Sequence, residues 1–274
     1  MADDPSRVTA LSKVPAITLG FWIIKILATT LGETGGDTVT MTWLGETTAH
    51  PVPGGYLIGT AIFGVLLIVL VALQIRARSF NAWLYWATIV ASTTCGTTLA
   101  DFADRSLGIG YPGGSMLLLA CVLLSLFAWH RTLGTVDVNT ITTPKAEAFY
   151  WLTITFSQTL GTALGDWSAG DLSEGGWGLG YSGAALVFGA ALAVLGMLYF
   201  STKASHVALF WAAFVLTRPL GATVGDFLDK PLKNGGLELS RPIASLVLAV
   251  AIVVLILLIP QRPGSHPGAD DAPA

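Results

Sequence analysis

Thr159-Leu160-Gly161-Thr162-Ala163-Leu164-Gly165-Asp166 is written four times in this chain, the other copies being Thr30 to Asp37, Thr94 to Asp101 and Pro219 to Asp226. Ten residues before the glycine of each copy stands the Trp of an aromatic-Trp pair: Phe21-Trp22, Tyr85-Trp86, Tyr150-Trp151 and Phe210-Trp211 lead to Gly32, Gly96, Gly161 and Gly221. Four residues after it comes a small residue (Gly36, Ala100, Gly165, Gly225), and then Asp37, Asp101, Asp166 or Asp226. The glycines are spaced by 64, 65 and 60 residues. Agreement in register over such a span marks one supersecondary unit copied four times.

Composition sets the class. Apolar residues make up 53% of the 274, charged residues 11%, and the mean hydropathy is +0.68. A soluble domain carries about 25% charged residues, so the expectation is an integral membrane protein. The net charge of -3 is spread unevenly and says little about partners. Cys95 and Cys121 lie in apolar segments, as packed thiols rather than a disulfide framework or metal motif. Met1 to Val14 mixes charges and lacks an apolar stretch, so no cleavable signal is expected there.

Each repeat runs from an apolar segment ending in the motif, through a Gly-rich loop, into a second apolar segment and a basic connection. The pattern predicts an all-α membrane protein: eight transmembrane helices as four tandem helix pairs around a central polar site. The spans fall at 15–34, 55–74, 82–101, 114–131, 148–167, 181–200, 206–226 and 242–260, each near the ~20 residues a bilayer needs. A short cytoplasmic segment (1–14) precedes one membrane domain (15–260; repeats about 15–78, 79–143, 144–204 and 205–260), and a disordered tail follows (261–274). The motif itself is a place where a helix could unwind. The glycine turns Gly54-Gly55-Tyr56, Gly108-Ile109-Gly110-Tyr111, Gly178-Leu179-Gly180-Tyr181 and a weaker Gly235-Gly236-Leu237 open the second spans.

Basic residues orient the chain. Arg7, Lys13, Arg76, Arg78, Arg131, Lys145, Lys203 and Arg262 fall on one side, against Arg105, Lys230, Lys233 and Arg241 on the other. The positive-inside rule then places both termini in the cytoplasm. The motif ends of the odd spans form an acidic outer mouth. His50, His130, His206 and His266 are read as interface or solvent residues.

On a helix, residues three or four apart share a face, so each odd span carries one polar, small-residue stripe. The first gathers Lys25, Thr29, Gly32, Glu33, Gly36 and Asp37. The third gathers Thr93, Gly96, Thr97, Ala100, Asp101 and Asp104, and the fifth Gln158, Gly161, Thr162, Gly165 and Asp166. The seventh gathers Arg218, Gly221, Ala222, Gly225, Asp226 and Asp229. Small residues four apart let helices approach closely in lipid, which accounts for Gly32, Gly36, Gly96, Gly161, Gly165, Gly221 and Gly225 as packing positions. Packing does not account for four aspartates, since an ionisable group at mid-membrane costs at least ~2.5 kcal/mol on insertion scales. An alternative use for each Asp is to cap a second short helix beyond the motif. Lys25 and Arg218 break the repeat symmetry, either as partners of motif carboxylates, more easily in another repeat than in their own, or as coupling charges. Trp22, Trp86, Trp151 and Trp211 are read as interfacial or inter-repeat packing residues.

With these residues on the page, the chain resembles the bacterial membrane proteins made of four tandem copies of a two-span repeat of unknown function. Each copy in that family has a characteristic tryptophan, matched here by Trp22, Trp86, Trp151 and Trp211. The resemblance covers about residues 15–260 and implies architecture, with no activity attached. Glu33-Thr34-Gly35-Gly36-Asp37-Thr38 is also similar to the acidic signature of calcium/manganese cation antiporters. An extra residue, the missing basic residue and four copies instead of two make this a shared chemical solution.

The leading expectation is a membrane transporter of a cation, whether Mn²⁺, Mg²⁺, Ca²⁺ or a species coupled to H⁺ or Na⁺. Asp37, Asp101, Asp166 and Asp226 are the candidate metal ligands, with Glu33, Asp104, Asp229, Thr97 and Thr162 beside them. The hydroxyls of Thr29, Thr93 and Thr223 and freed backbone carbonyls complete an oxygen set that suits hard cations. The alternative is a proton-coupled carrier of a small organic anion held by Lys25 and Arg218. No enzyme is expected: no Ser/His pair, HExxH or Tyr-Asp appears. A divalent cation is the only candidate cofactor. The expected partners are the bilayer and a small solute, with homo-oligomerisation left open and no nucleic acid.

Overall fold

A computed structural model describes residues 12–264; Arg7, His266, and the parts of the two terminal segments at 1–11 and 265–274 lie outside the described residues. Those described form eight α-helices and no strand. The helices are α1 (Leu19–Asp37), α2 (Gly55–Arg76), α3 (Ala82–Asp101), α4 (Tyr111–Leu133), α5 (Pro144–Ala169), α6 (Gly180–Ser201), α7 (His206–Asp229) and α8 (Arg241–Leu258). Every odd helix begins on a side-chain cap. Thr18, Asn81, Thr143 and Ser205 accept hydrogen bonds from the backbone N–H groups of Phe21, Leu84, Ala146 and Ala208, satisfying donors that a helix start leaves free.

Among the described residues five helices, α2, α4, α6, α7 and α8, are long and apolar enough to cross a membrane. The even helices are exposed along most of their length, Leu57, Leu66, Leu124, Leu186, Phe200, Leu246 and Leu257 among their outward side chains. The less apolar α1, α3 and α5 lie inside. There α1 packs on α3, α3 on α5, α5 on α7 and α7 back on α1, a closed ring.

The motif glycines make this ring possible in one repeated contact. A Cβ on Gly32 would lie 2.3 Å from Thr93, on Gly96 2.9 Å from the Gln158 backbone, on Gly161 2.1 Å from Arg218, and on Gly221 2.1 Å from Thr29. In all four cases the neighbour stands three residues before the next repeat's glycine. Close approach at these positions therefore specifies both the partner helix and its register. The aromatic pairs close a second ring nearer the opposite end. Phe21 meets Trp86, Tyr85 meets Trp151, Tyr150 meets Trp211 and Phe210 meets Trp22, at centroid distances of 5.5, 5.8, 6.3 and 5.8 Å. The tryptophans are thus inter-repeat packing residues. Trp86 donates to Gln261 Oε1 at 3.0 Å and Trp211 to the Val136 carbonyl at 2.9 Å.

The packed unit differs from the sequence unit. Each even helix lies chiefly on the odd helix that follows it, α2 on α3, α4 on α5 and α6 on α7, and α8 closes the circle on α1. Pro15 and Pro263 pair beside that closure, where Ala16 N donates to Arg262 O and Gly264 N to Val14 O.

Two local expectations are corrected. The motif does not unwind: α1, α3, α5 and α7 run through it, Pro219 included, and after Asp37 and Asp101 the chain continues as π-helix over Thr38–Trp43 and Phe102–Ser106. Neither aspartate caps that continuation with its side chain. Second, Gly235-Gly236-Leu237 is the counterpart of Gly175-Gly176-Trp177, not of Gly178-Leu179-Gly180. Gly175 and Gly235 share a left-handed φ (82° and 83°), and Glu238 (φ 54°) takes the left-handed place of Gly178 (φ 70°). A Cβ on Gly176 or Gly236 would lie 2.1 Å from the carbonyl oxygen of Gly170 or Lys230.

Candidate functional site

The ring encloses a column of side chains that can be followed by helical turns. At the aromatic end Ile89, Ile154 and Phe214 are fully buried alongside Lys25. The Lys25 ammonium crosses from α1 to sit 4.1 Å from the centroid of the Phe214 ring.

One turn further on, Arg218 is wholly buried and reaches all three other ring helices. Its Nη1 donates to the Thr29 carbonyl at 3.2 Å. Nη2 lies 3.0 Å from Glu33 Oε2, 2.5 Å from both Thr97 Oγ1 and Thr162 Oγ1, and 3.4 Å from the Thr93 carbonyl. Thr97 also donates to the Gly32 carbonyl at 3.1 Å. Arginine suits this place because its planar fork offers several donors in fixed directions. The symmetry-breaking Arg218 and Glu33 are thus each other's partner, across repeats four and one.

Below this lies the carboxylate zone. Glu33, Asp166 and Asp226 place one oxygen each within 4.8 Å of one another, and so do Asp37, Asp226 and Asp229. Lys230 fills the second group, bonding Asp37 and pairing with Asp226 at 2.9 Å and Asp229 at 4.0 Å. Burial works against charge on Lys230, but Asp226, Asp37 and Asp229 outweigh it and hold its pKa well above the ordinary lysine value. Arg241 stands 3.7 Å from the other Asp229 oxygen. Asp101 lies apart, bound by Arg105 at 2.8 Å, and Asp104, in no ion pair among the described residues, has its pKa raised by partial burial against the opposing pull of Arg105.

The four motif aspartates therefore do not share one point. Asp37 and Asp226 meet around Lys230, Asp166 joins Glu33 and Asp226, and Asp101 has its own base. Asp166 differs from the other three in being only partly buried, and its carboxylate makes no hydrogen bond or ion pair among the described residues. Of the threonines, Thr97 and Thr162 serve Arg218, while Thr29 donates to the Thr217 carbonyl and Thr223 to that of Pro219.

Lys230, Arg105 and Arg241 are the residues a reading by loops passes over. The signal was there: Asp101-Phe102-Ala103-Asp104-Arg105 and Asp226-Phe227-Leu228-Asp229-Lys230 match, and each sets a base four residues beyond the motif aspartate. That spacing brings the two onto one helical face.

Comparison with curated proteins and with solved structures gave no match. The family model described as Repeat of Unknown Function (DUF347) matches four times, at residues 20–80, 84–135, 149–205 and 209–260. Its copies coincide with the four motifs and with the ring they build, and the chain belongs to this repeat family.

Proposed function

We propose that this protein is a transporter of a hard cation, in which all eight helices span a bacterial inner membrane and the cation binds between Glu33, Asp166 and Asp226. The observation that carries this reading is Asp166: a partly buried carboxylate in no ion pair among the described residues, next to two others. Three carboxylate oxygens within 4.8 Å of one another suit Mn²⁺, Mg²⁺, Ca²⁺ or Na⁺. Lys230, held between Asp37, Asp226 and Asp229, then acts as a tethered counter-cation whose pull on Asp226 an entering ion must share. Protons are the natural coupling species, because each carboxylate can exchange its ion for one.

Eight spans are favoured although α1, α3 and α5 are less apolar. With 19, 20 and 26 residues at ~1.5 Å rise they cover roughly 28–39 Å, matching a ~30 Å hydrocarbon core, and their polar stripes face the ring instead of lipid. The positive-inside orientation also gains support. Of the basic residues on the acidic side, Arg105, Lys230 and Arg241 are engaged by carboxylates, which leaves the free ones mainly at the aromatic end.

The test is flux into proteoliposomes carrying the purified full chain, read with an indicator for Mn²⁺ or Ca²⁺ and with a pH dye. Asp166→Asn removes ion-dependent flux while the protein stays folded. Unchanged flux in Asp166→Asn refutes the site.

A further inference from the structure

Above the carboxylates, the same ring holds a second set of polar atoms that the cation reading does not use. Lys25, Thr93, Ser157, Gln158 and Arg218 are all fully buried. Lys25 Nζ, Thr93 Oγ1, Ser157 Oγ, both amide atoms of Gln158 and Arg218 Nε have no hydrogen-bond partner among the described residues. Buried polar atoms are nearly always paired, and an unpaired buried charge is the most costly kind.

These atoms come from all four ring helices within about one turn. Thr93, Gln158 and Arg218 each stand three residues before their motif glycine and each packs against the preceding helix's glycine, Gly32, Gly96 and Gly161. Ser157 adjoins Gln158. Lys25 lies one turn before Thr29, and its ammonium over Phe214 is one turn above Arg218. The level is closed toward the aromatic end by Tyr85 and Tyr150, whose hydroxyls bond to each other at 2.6 Å.

The chemistry of the set is that of a donor cage. It offers an ammonium, a guanidinium N–H, an amide NH₂ and two hydroxyls, and one obligate acceptor, Gln158 Oε1. Glu33 is committed to Arg218 and Thr97, and no carboxylate lies within ion-pair distance of Lys25 among the described residues. We propose that this level is a binding site for a small monovalent anion, either a halide- or nitrate-sized ion or the carboxylate of a short organic acid, with Lys25 as its counter-charge. The site adjoins the cation group through the Arg218–Glu33 pair but does not rest on it.

The experiment measures thermal unfolding of the full chain in detergent while sodium gluconate is replaced by sodium bromide, nitrate, formate or acetate at constant ionic strength. At least one small anion raises the midpoint with saturation. Lys25→Met weakens the apparent affinity by about tenfold or more, the loss of one charge-assisted hydrogen bond, Gln158→Leu weakens it too, and Asp166→Asn leaves it unchanged. Response to bromide and nitrate identifies an inorganic ion, response confined to formate and acetate an organic acid. Should both variants fail to fold, a density peak beside Lys25 in the wild-type protein, for whichever anion raises the midpoint, carries the test. No response to any of the four anions, equal responses of wild type and Lys25→Met, or no such peak overturns the proposal.

Discussion

Gly221→Ala tests the ring at its tightest joint. The added methyl would lie 2.1 Å from Thr29 Oγ1, 2.6 Å from Thr29 Cβ and 2.8 Å from the Thr29 carbonyl carbon. A new rotamer can relieve the first of these, but not the last, because it is backbone. Ordinary contact begins at 3.4 Å, so α1 and α7 must part by roughly 0.6 Å and the Thr29 to Thr217 hydrogen bond of 3.2 Å goes with them. Overpacking of this kind costs ~1–3 kcal/mol. The right controls are Gly189→Ala and Gly196→Ala in α6, where nothing lies within 4 Å of the new methyl. All three variants share the ~0.5–1 kcal/mol that alanine gains over glycine within a helix, so their difference isolates the ring contact. At ~2–4 °C per kcal/mol for a chain of this size, Gly221→Ala melts roughly 2–12 °C below the α6 variants in a detergent thermal-unfolding assay. Gly96→Ala behaves alike, since its methyl meets the Gln158 and Thr159 backbone at 2.9 Å. Coincident midpoints for Gly221→Ala and Gly196→Ala would refute the glycine-to-next-helix account of the ring.

Two further expectations concern the charges. Arg218→Met strands Glu33 and lowers stability by ~3–5 kcal/mol, whereas the Arg218→Met/Glu33→Gln double variant recovers most of the loss; a thermal-unfolding double-mutant cycle reads the coupling. Lys230 has a folded pKa above its unfolded value, so its stabilising effect is complete below about 10.4 and is lost as pH rises from there through the raised value. The stabilising contribution of the Lys230 ammonium, read as the gap between wild type and Lys230→Met, therefore falls as pH rises above about 10.4, as midpoints measured through the alkaline range will record.

The ring was legible in the sequence because it is written in glycine. Gly32, Gly96, Gly161 and Gly221 stand in one register, and only one arrangement lets each face the same position of a neighbour. The aromatic pairs repeat the message at a second level. The pairing of even helices was not legible, because α2, α4, α6 and α8 are uniformly apolar and carry no mark of which odd helix they cover. At the site, helical spacing located Glu33, Asp166 and Asp226 on inward stripes. It could not tell that Asp101 would turn to Arg105 or that Lys230 would fold back between Asp37 and Asp226. Those choices depend on the reach of long side chains just beyond the helix ends.

Departures from the repeat follow a pattern of their own. Three residues before the glycine the four copies read Thr29, Thr93, Gln158 and Arg218; one residue after it they read Glu33, Thr97, Thr162 and Ala222. Arg218 is the longest of the side chains at these positions, and it reaches all three other ring helices. Ala222 stays small in the same repeat, while Thr97 and Thr162 shrink to hydroxyls that accept from its guanidinium and Glu33 supplies the charge. Further along the register, at the position nine after the glycine, Met41 and Gly170 alternate with Arg105 and Lys230. The backbone ring is thus four-fold, the mouth two-fold, and the interior has no symmetry at all. A symmetric column would hold identical charges face to face and repel them. Breaking the symmetry level by level lets acids and bases meet along one axis, and it leaves Asp166, whose repeat has Gly170 where Arg105 and Lys230 stand in two others, in no ion pair among the described residues.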